Sequence, residues 1–335
     1  MPRPQDDNRP HVVIVGGGVA GCTLAYELSF LSVRVMLLES GRITQQGASS
    51  VPVALLNPHR GRTARASELD RAGLEAITAL AEKLNAEGLD AGVHFPGVLR
   101  IAANEKQLRK WQQVEGVKQL TPADIPAPYH APFGGILVEK GGWLEPEKFL
   151  TALVASVQRR GVKVVESCTV KDVEALNGGW NVVSSQKTFP ADVVVLCVGA
   201  TENPALPLPG LERLAGDIIE LNTNVAMPYP IAGAVYGMSK GASVFMGGNH
   251  RPAEADDPEA AVRLQESSSW FVKPLKNADL LSTWTGVRAK REDNQPLVVE
   301  LEPHLWFYGA LAGRGFLCSA HLSRQLAQRL TSRCW

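Results

Sequence analysis

The pattern of apolar and polar positions at the start of the chain predicts a strand, a helix and a second strand in close succession. Residues 11–15 (HVVIV) form an apolar, β-branched run that suits a central parallel strand buried on both faces. Ala20, Leu24 and Leu28 then fall at the spacing of one helical face. A second apolar run over Val33–Leu38 completes a βαβ unit.

The pattern further along the chain alternates between helical spacing and short strand-like pieces. Beyond the βαβ unit it predicts an extended loop over 47–62, a helix over 67–84, short strands over 97–101 and 135–138, a helix over 145–160, strands over 162–165 and 168–170, a hairpin around Gly178-Gly179, a buried strand over 191–200, an antiparallel region over 215–297 with a hairpin pairing 231–236 with 243–246, and a closing strand, glycine turn and helix over 305–330.

This succession of predicted helices and strands indicates an α/β fold with two domains. A Rossmann-like nucleotide-binding domain is expected in three pieces, 10–82, 145–212 and 302–335. A mainly antiparallel α+β substrate domain is expected to be inserted as 83–144 and 213–301.

Glycines at the end of the first strand carry the clearest chemical signal. Gly16, Gly18 and Gly21 form G-x-G-x-x-G, in which the first glycine makes the tight turn, the second admits a pyrophosphate and the third packs the helix on the strand. Glu39 stands about 18 residues beyond Gly21, where it can accept hydrogen bonds from an adenosine ribose and repel a 2′-phosphate. The unit therefore predicts dinucleotide binding and disfavours NADP, leaving FAD and NAD open. The predicted strand over 191–200 also stops at a glycine, Gly199, which permits close backbone approach to a ligand.

Composition and charge limit the functions and the cellular locations that the sequence predicts. The 335 residues carry 34 Lys plus Arg and 34 Asp plus Glu, so the electrostatic attraction that drives non-specific nucleic-acid binding is missing. Five cysteines without a C-x-x-C pair, among them Cys334, suggest neither a metal site nor a disulfide framework. No signal-like segment and no apolar run of about 18 residues is found. We therefore expect a cytoplasmic protein without a membrane span.

Several motifs, taken in order, resemble the D-amino acid oxidase family of flavoproteins, which includes glycine oxidase and sarcosine oxidase. The residues that carry the resemblance are Gly16 to Glu39, the loop Ala48-Ser49-Ser50, the strand end Cys197–Ala200, the stretch Trp284–Arg288 and the closing Gly309–Phe316. The segment Leu311–Gly315 and the loop before Pro58 are similar to the oxidase half of the bifunctional enzyme that modifies the tRNA wobble uridine.

The resemblance implies FAD as the cofactor. It places the FAD phosphates over Gly16, Gly18 and Gly21, the ribose at Glu39 and the adenine against the backbone of Val170. It flanks the isoalloxazine with residues of two loops, Ala48, Ser49, Ser50, Gly313 and Gly315. No Cys or His matches an attachment position, so we expect dissociable FAD.

The family chemistry implied is oxidation of the C–N bond of a small-molecule substrate, an amino acid or a secondary amine, by hydride transfer to flavin N5. The imine that results hydrolyses, and oxygen or another electron acceptor reoxidises the flavin. Three residues are expected at the reacting end: Arg288 as carboxylate anchor, Tyr236 as a pocket wall and Arg314 at the flavin edge. Arg291 is the alternative anchor.

Two other functions remain open. One is oxidation of a carboxymethylaminomethyl group on tRNA to aminomethyl, which a basic face around Arg60 to Arg71 would favour. The other is a flavin-binding subunit without its own turnover. The nearby cluster His59, Arg60, Arg62 and Arg65 could face FAD phosphate, an acidic substrate or solvent.

Overall fold

Two large sheets organise the chain. The computed structural model describes residues 9–203, 205, 206, 208 and 210–333. Its α-helices are α1 (Val19–Leu28), α2 (Glu68–Ala86), α3 (Glu105–Trp111), α4 (Pro146–Arg159), α5 (Ala260–Phe271) and α6 (Gly315–Arg333). Its strands are β1 (His11–Val15), β2 (Arg34–Leu38), β3 (Ala54–Leu56), β4 (His59–Arg60), β5 (Arg65–Ala66), β6 (Val93–His94), β7 (Val98–Ile101), β8 (Lys118–Leu120), β9 (Gly135–Val138), β10 (Gly142–Leu144), β11 (Lys163–Val165), β12 (Val170–Leu176), β13 (Gly179–Ser184), β14 (Thr188–Ala191), β15 (Val193–Leu196), β16 (Glu212–Asn222), β17 (Ile231–Ala232), β18 (Tyr236–Lys240), β19 (Ser243–Gly247), β20 (Arg251–Pro252), β21 (Asp279–Lys290), β22 (Leu297–Glu302) and β23 (Leu305–Gly309).

The first sheet has six strands in the order β11-β2-β1-β15-β23-β22. All neighbours are parallel except β22 and β23, which are antiparallel. Helices α1, α2, α4 and α6 pack on one face, and the small antiparallel sheet β12-β13-β14 covers the other. Because both faces are covered, the central strands are continuous apolar runs. The Rossmann-like α/β fold predicted from the sequence is confirmed.

The glycine turn between β1 and α1 requires the absence of side chains. Gly16 has φ +106°, and a Cβ there would overlap the carbonyl of Cys197 at the end of β15. A Cβ on Gly21 would overlap the carbonyl of Gly16, so this glycine lets α1 lie directly on the turn. The roles expected for the first and third glycines follow from these two close approaches.

The second sheet has nine strands, and all of its pairings but one are antiparallel. The exception joins β17 to β7. Helix α5 packs on this sheet and buries Leu264 and Phe271 against Ile219 and Met246. The mainly antiparallel character expected for the inserted region is therefore confirmed.

The division of the chain into domain segments stays a prediction, and two strand pairings join segments assigned to different domains. Strand β22 lies in the first sheet, although residues 213–301 were assigned to the substrate domain. Strand β3 pairs with β10, which joins segments assigned to different domains.

Four local expectations differ from the structure. The expected loop over 47–62 contains β3 and β4, because Ala54–Leu56 finds antiparallel partners in β10. The hairpin turn lies at Gly241, with φ +61°, so its first arm is Tyr236–Lys240 and not 231–236. Strand β12 starts at Val170, where the predicted strand 168–170 ends. Helix α5 was missed, because Ser268 interrupts its buried stripe.

The cysteines in the described ranges, Cys22, Cys168, Cys197 and Cys318, are all buried and free. Cys334 lies outside the described residues. Within the described part of the chain, no helix is both long and apolar enough to span a membrane. The cytoplasmic location stays a prediction.

Candidate active site

A cavity of about 1400 Å³ runs between the two sheets, past the carboxyl ends of β1, β2 and β15. Ligand pockets usually measure roughly 300–1,000 Å³, so this one has room for a dinucleotide and a small second ligand. The predicted site residues that line it are Gly16, Gly18, Glu39, Ala48, Ser49, Ser50, Val170, Gly199, Tyr236, Arg288, Gly313 and Gly315. Two predicted residues, Gly21 and Arg314, are not among its lining residues.

Glu39 lies at one end of the cavity, beside the glycine turn. Its Oε2 accepts the Gly17 N–H at 2.6 Å and its Oε1 accepts the Gly41 N–H at 3.0 Å. The carboxylate is thus fixed by backbone donors next to the start of α1. That helix is capped by Gly18 without a side-chain hydrogen bond, and the N–H groups of a helix's first turn suit phosphate oxygens.

The short turn Ala48–Ser50 connects the two sheets. Ser49 Oγ accepts the Val19 N–H of α1 at 3.0 Å. Ser50 Oγ accepts the indole N–H of Trp284 on β21 at 3.3 Å. One turn therefore touches both the nucleotide end of the cavity and the strand that carries Arg288.

Arg288 projects into the opposite end of the cavity from β21, where it pairs with Leu214 of β16. Its Nη2 lies 2.8 Å from Nδ1 of His250. Burial, followed by the charge of Arg288, lowers the pKa of His250, so the imidazole is neutral and accepts the guanidinium N–H. A Cβ on Gly216 would overlap the Arg288 guanidinium, so this glycine makes room for it.

A buried carboxylate holds the strands beside Arg288. The Asp217 carboxylate accepts a hydrogen bond from Thr285 Oγ1 at 2.6 Å. It also accepts hydrogen bonds from the side chains of Asn249 and Arg251. Burial alone would raise the pKa of Asp217, but the hydrogen bonds from Arg251 and Thr285 outweigh it and lower the pKa. The ionised carboxylate thus ties β21 to β16 within three residues of Arg288.

Tyr236 lines the same end of the cavity from β18. Burial raises the pKa of its phenol, which therefore stays protonated and able to donate a hydrogen bond. Its ring packs over Gly247, where a Cβ would come within 2.7 Å of the hydroxyl oxygen.

The structure places Arg314 in a different setting from the one expected. Its side chain is 6% exposed, with Nη1 3.7 Å from Asp70 Oδ1 and Nη2 donating to the Asn294 carbonyl. This guanidinium turns away from the cavity because the Asp70 carboxylate and the Asn294 carbonyl bind it. Arg291 pairs with Asp293 at 3.0 Å and is also absent from the cavity lining, which leaves Arg288 as the anchor candidate of that stretch.

Two cavity residues lacked a signal in the sequence. His250 and Gly216 become site residues only through the register of β16 and β21 and the loop after β19. The sequence marks Arg60 only as part of a basic cluster, because spacing along the chain does not define the direction of its side chain. In the structure Arg60, Arg62 and the buried His59 all line the cavity, whereas Arg65 is exposed outside it.

The Rossmann-like sheet, its glycine turn and the cavity beside them define a dinucleotide-binding protein. The profile of the FAD dependent oxidoreductase family, DAO, matches residues 11–329, so the chain belongs to that family. It is therefore an enzyme with FAD as its cofactor, as the resemblance implied.

Similar proteins fall into two groups. The chain is 24% identical over 321 residues to glycine oxidase of Geobacillus kaustophilus, covering 88% of this chain and 85% of the relative. It is 26% identical over 356 residues to the tRNA 5-methylaminomethyl-2-thiouridine biosynthesis bifunctional protein of Nitrosospira multiformis, covering 94% of this chain. The match covers 56% of that relative, so the chain spans little more than half its length. The crystal structure of the Geobacillus glycine oxidase superposes with a TM-score of 0.83 at 22% identity, covering 97% of this chain and 96% of that one.

Since no Cys or His matches an attachment position, we expect acid precipitation to release FAD into the supernatant.

Glu39 is expected to contribute to FAD affinity. We expect Glu39→Lys to raise the dissociation constant of FAD about tenfold to hundredfold. The physical reason is the loss of charge-linked hydrogen bonds worth roughly 1.5–3 kcal/mol. Flavin fluorescence during dialysis measures the change.

Glu166→Lys is the matched control for Glu39→Lys. Glu166 accepts the Ile43 N–H at 2.8 Å but does not line the cavity, so the same charge change should leave FAD affinity unaltered. If both variants retain FAD equally, and circular dichroism confirms that both fold, the role of Glu39 in binding FAD would be refuted. Colour that stays with the acid precipitate would mean covalent attachment.

Proposed function

We propose that this enzyme oxidises the C–N bond of an amino acid or secondary amine that bears a carboxylate. The observation that carries the proposal is the Arg288 guanidinium, which faces the cavity without an acidic partner among the described residues. A planar guanidinium binds a carboxylate through two parallel hydrogen bonds. Its position at the end of the cavity opposite Glu39 suits a substrate placed beyond the cofactor.

The same cavity suggests which residues hold FAD. Gly16, Gly18 and the first turn of α1 would hold the phosphates, and Glu39 the ribose. The adenine would lie against the start of β12, at Val170. Backbone at the Ala48–Ser50 turn, Gly199, Gly313 and Gly315 would flank the rest of the cofactor. The absence of side chains at these glycines leaves the space that such a large ligand needs.

The chain's own residues have positioning tasks. When bound, the flavin supplies a hydride acceptor at N5, and the imine left by the amine hydrolyses in water. Arg288 would hold the substrate carboxylate, so that the carbon next to nitrogen faces the cofactor. The protonated Tyr236 phenol would donate a second hydrogen bond from β18. Oxygen or another acceptor would reoxidise the cofactor.

Replacing Arg288 should impair the oxidation of substrates that bear a carboxylate and have little effect on substrates that do not. Arg288→Ala removes one partner of a desolvated charge pair, which costs about 2–5 kcal/mol. We therefore expect kcat/KM for sarcosine to fall roughly 30-fold to several-thousand-fold, while the smaller value for sarcosinamide changes little. Steady-state kinetics on the two substrates measures this, and Arg291→Ala is the matched control, expected to leave both values unchanged.

Two results would contradict the role of Arg288. Equal losses on sarcosine and its amide would mean that Arg288 supports the structure of the pocket. No loss on either substrate would place the carboxylate elsewhere in the cavity. FAD content should stay unchanged in the variant, since Arg288 lies at the opposite end from Glu39.

A second candidate function is oxidation of the carboxymethylaminomethyl side chain of a tRNA wobble uridine. One observation favours it: Arg62, Lys106 and Lys110 are exposed and line the mouth of the cavity. The two lysines are four residues apart on α3 and so share one helical face. Exposed cations at a cavity mouth suit the phosphates around an everted nucleotide, even in a chain without net charge.

Charge reversal at the mouth tests this second candidate. The double variant Lys106→Glu/Lys110→Glu should weaken tRNA binding and lower the salt slope of log K by about 0.7–0.9 for each lost phosphate contact. Electrophoretic mobility shifts at several salt concentrations measure both. Lys273→Glu/Lys276→Glu, two exposed lysines outside the cavity, is the control. Equal tRNA binding by the two double variants would exclude the mouth as an RNA site.

A further inference from the structure

We propose that Arg60 is a second anion-binding residue of the active site and that the substrate is an amine with two carboxylates, one held by Arg288 and the other by Arg60. The proposal rests on the proposed amine oxidation and specifies its substrate class.

The two arginines approach one point from different elements. Arg60 comes from β4 and Arg288 from β21, and both line the cavity. A Cβ on Gly313 would have Arg288 Nη1 at 3.5 Å and Arg60 Nη2 at 3.8 Å. The guanidinium groups thus converge over a backbone segment that has no side chain between them.

The backbone on both sides of Arg60 is held firmly. The buried Arg100 donates through Nη1 to the His59 carbonyl and through Nη2, at 2.6 Å, to the Gly61 carbonyl. The Trp111 indole donates to the Arg62 carbonyl at 3.0 Å and lies under the Arg100 guanidinium, 5.0 Å from ring centroid to Cζ. Arg60 therefore extends from a braced turn, which reduces the entropy lost when it binds an anion.

The charge of Arg60 is not compensated by the protein. Its guanidinium has no ion pair or hydrogen bond with any residue the structure describes. Burial lowers its pKa, and the nearby Asp70 acts against that shift. Asp70, however, is occupied: it accepts Ser67 Oγ at 2.6 Å and pairs with Arg314. A desolvated cation without a partner is costly, and a bound carboxylate would remove that cost.

The charges of the residues that line the cavity also favour a substrate with two carboxylates. Among its described lining residues Glu39 alone is acidic, and it lies at the nucleotide end. At the other end Arg60 and Arg288 are accompanied by a neutral imidazole and a protonated phenol, and the remaining charged lining residues, Arg62, Arg100, Lys106 and Lys110, are all cations. One carboxylate would neutralise only one of the two converging guanidinium groups, whereas two carboxylates would neutralise both. A dicarboxylic amine therefore fits this end better than a monocarboxylic one.

Sarcosine and iminodiacetate provide a matched pair, because they share the secondary amine and differ by one carboxylate. We expect the FAD-loaded enzyme to prefer iminodiacetate in kcat/KM by at least about tenfold. Arg60→Ala should lower the value for iminodiacetate roughly 30-fold or more, mainly through KM, and change the value for sarcosine little. Arg60→Lys should recover part of the preference, since it restores the charge without the planar fork. Arg65→Ala, an exposed arginine of the same hairpin, should behave as the wild type.

Binding without turnover distinguishes failure of this proposal from failure of the proposed function. Calorimetric titration of the FAD-loaded protein should show tighter binding of malonate than of acetate, with the difference lost in Arg60→Ala. If no amine reduces the flavin but this difference is found, the proposed oxidation fails and the dianion site stands. Equal affinities for malonate and acetate, or an unchanged difference in Arg60→Ala, overturn the proposal. Loss of FAD from Arg60→Ala also overturns it, because Arg60 would then serve the cofactor.

Discussion

The active-site cavity depends on close packing at positions where no side chain is tolerated. At Gly16 a Cβ would overlap the Cys197 carbonyl, and at Gly216 it would overlap the Arg288 guanidinium. At Gly313 a Cβ would be in ordinary van der Waals contact with the guanidinium groups of Arg288 and Arg60, so no side chain separates them from the backbone. Gly16 lets the turn after β1 lie directly against the end of β15, and Gly216 leaves room for the Arg288 guanidinium. Glycine thus shapes both ends of one cavity, for different reasons.

Fixed charge then divides the cavity into two parts. Glu39 is held at the nucleotide end by backbone N–H groups, while Arg288 and Arg60 lie at the other end without acidic partners in the described ranges. The ionised Asp217 supports this arrangement, because it ties β16 to β21 close to Arg288. The Ala48–Ser50 turn joins the two parts through Ser49 and Ser50. A ligand that spans the cavity therefore meets an acceptor at one end and donors at the other.

The sequence predicted the parts of this site that depend on local pattern. The βαβ unit, its glycines and Glu39 follow one another along the chain, so spacing alone locates them. The cationic end is different, because Arg60 and Arg288 are more than two hundred residues apart. They meet only in the folded chain, where β21 pairs with β16 and Arg100 of β7 holds the backbone beside Arg60. Arg314 illustrates the limit: its motif suggested the flavin edge, but a buried partner, Asp70, directs its side chain elsewhere. Helix α5 was missed because a polar residue lies in its buried stripe.

We expect amines bearing a carboxylate to reduce the cofactor of this enzyme directly. Anaerobic mixing of the FAD-loaded protein with a panel of amino acids and N-alkyl glycines, followed by absorbance, tests it most directly. At least one carboxylate-bearing amine should bleach the oxidised flavin spectrum, and bleaching should be slower when the α-hydrogens are replaced by deuterium. A flavin that stays oxidised with every free amine, while dithionite still reduces it, would contradict the proposed oxidation.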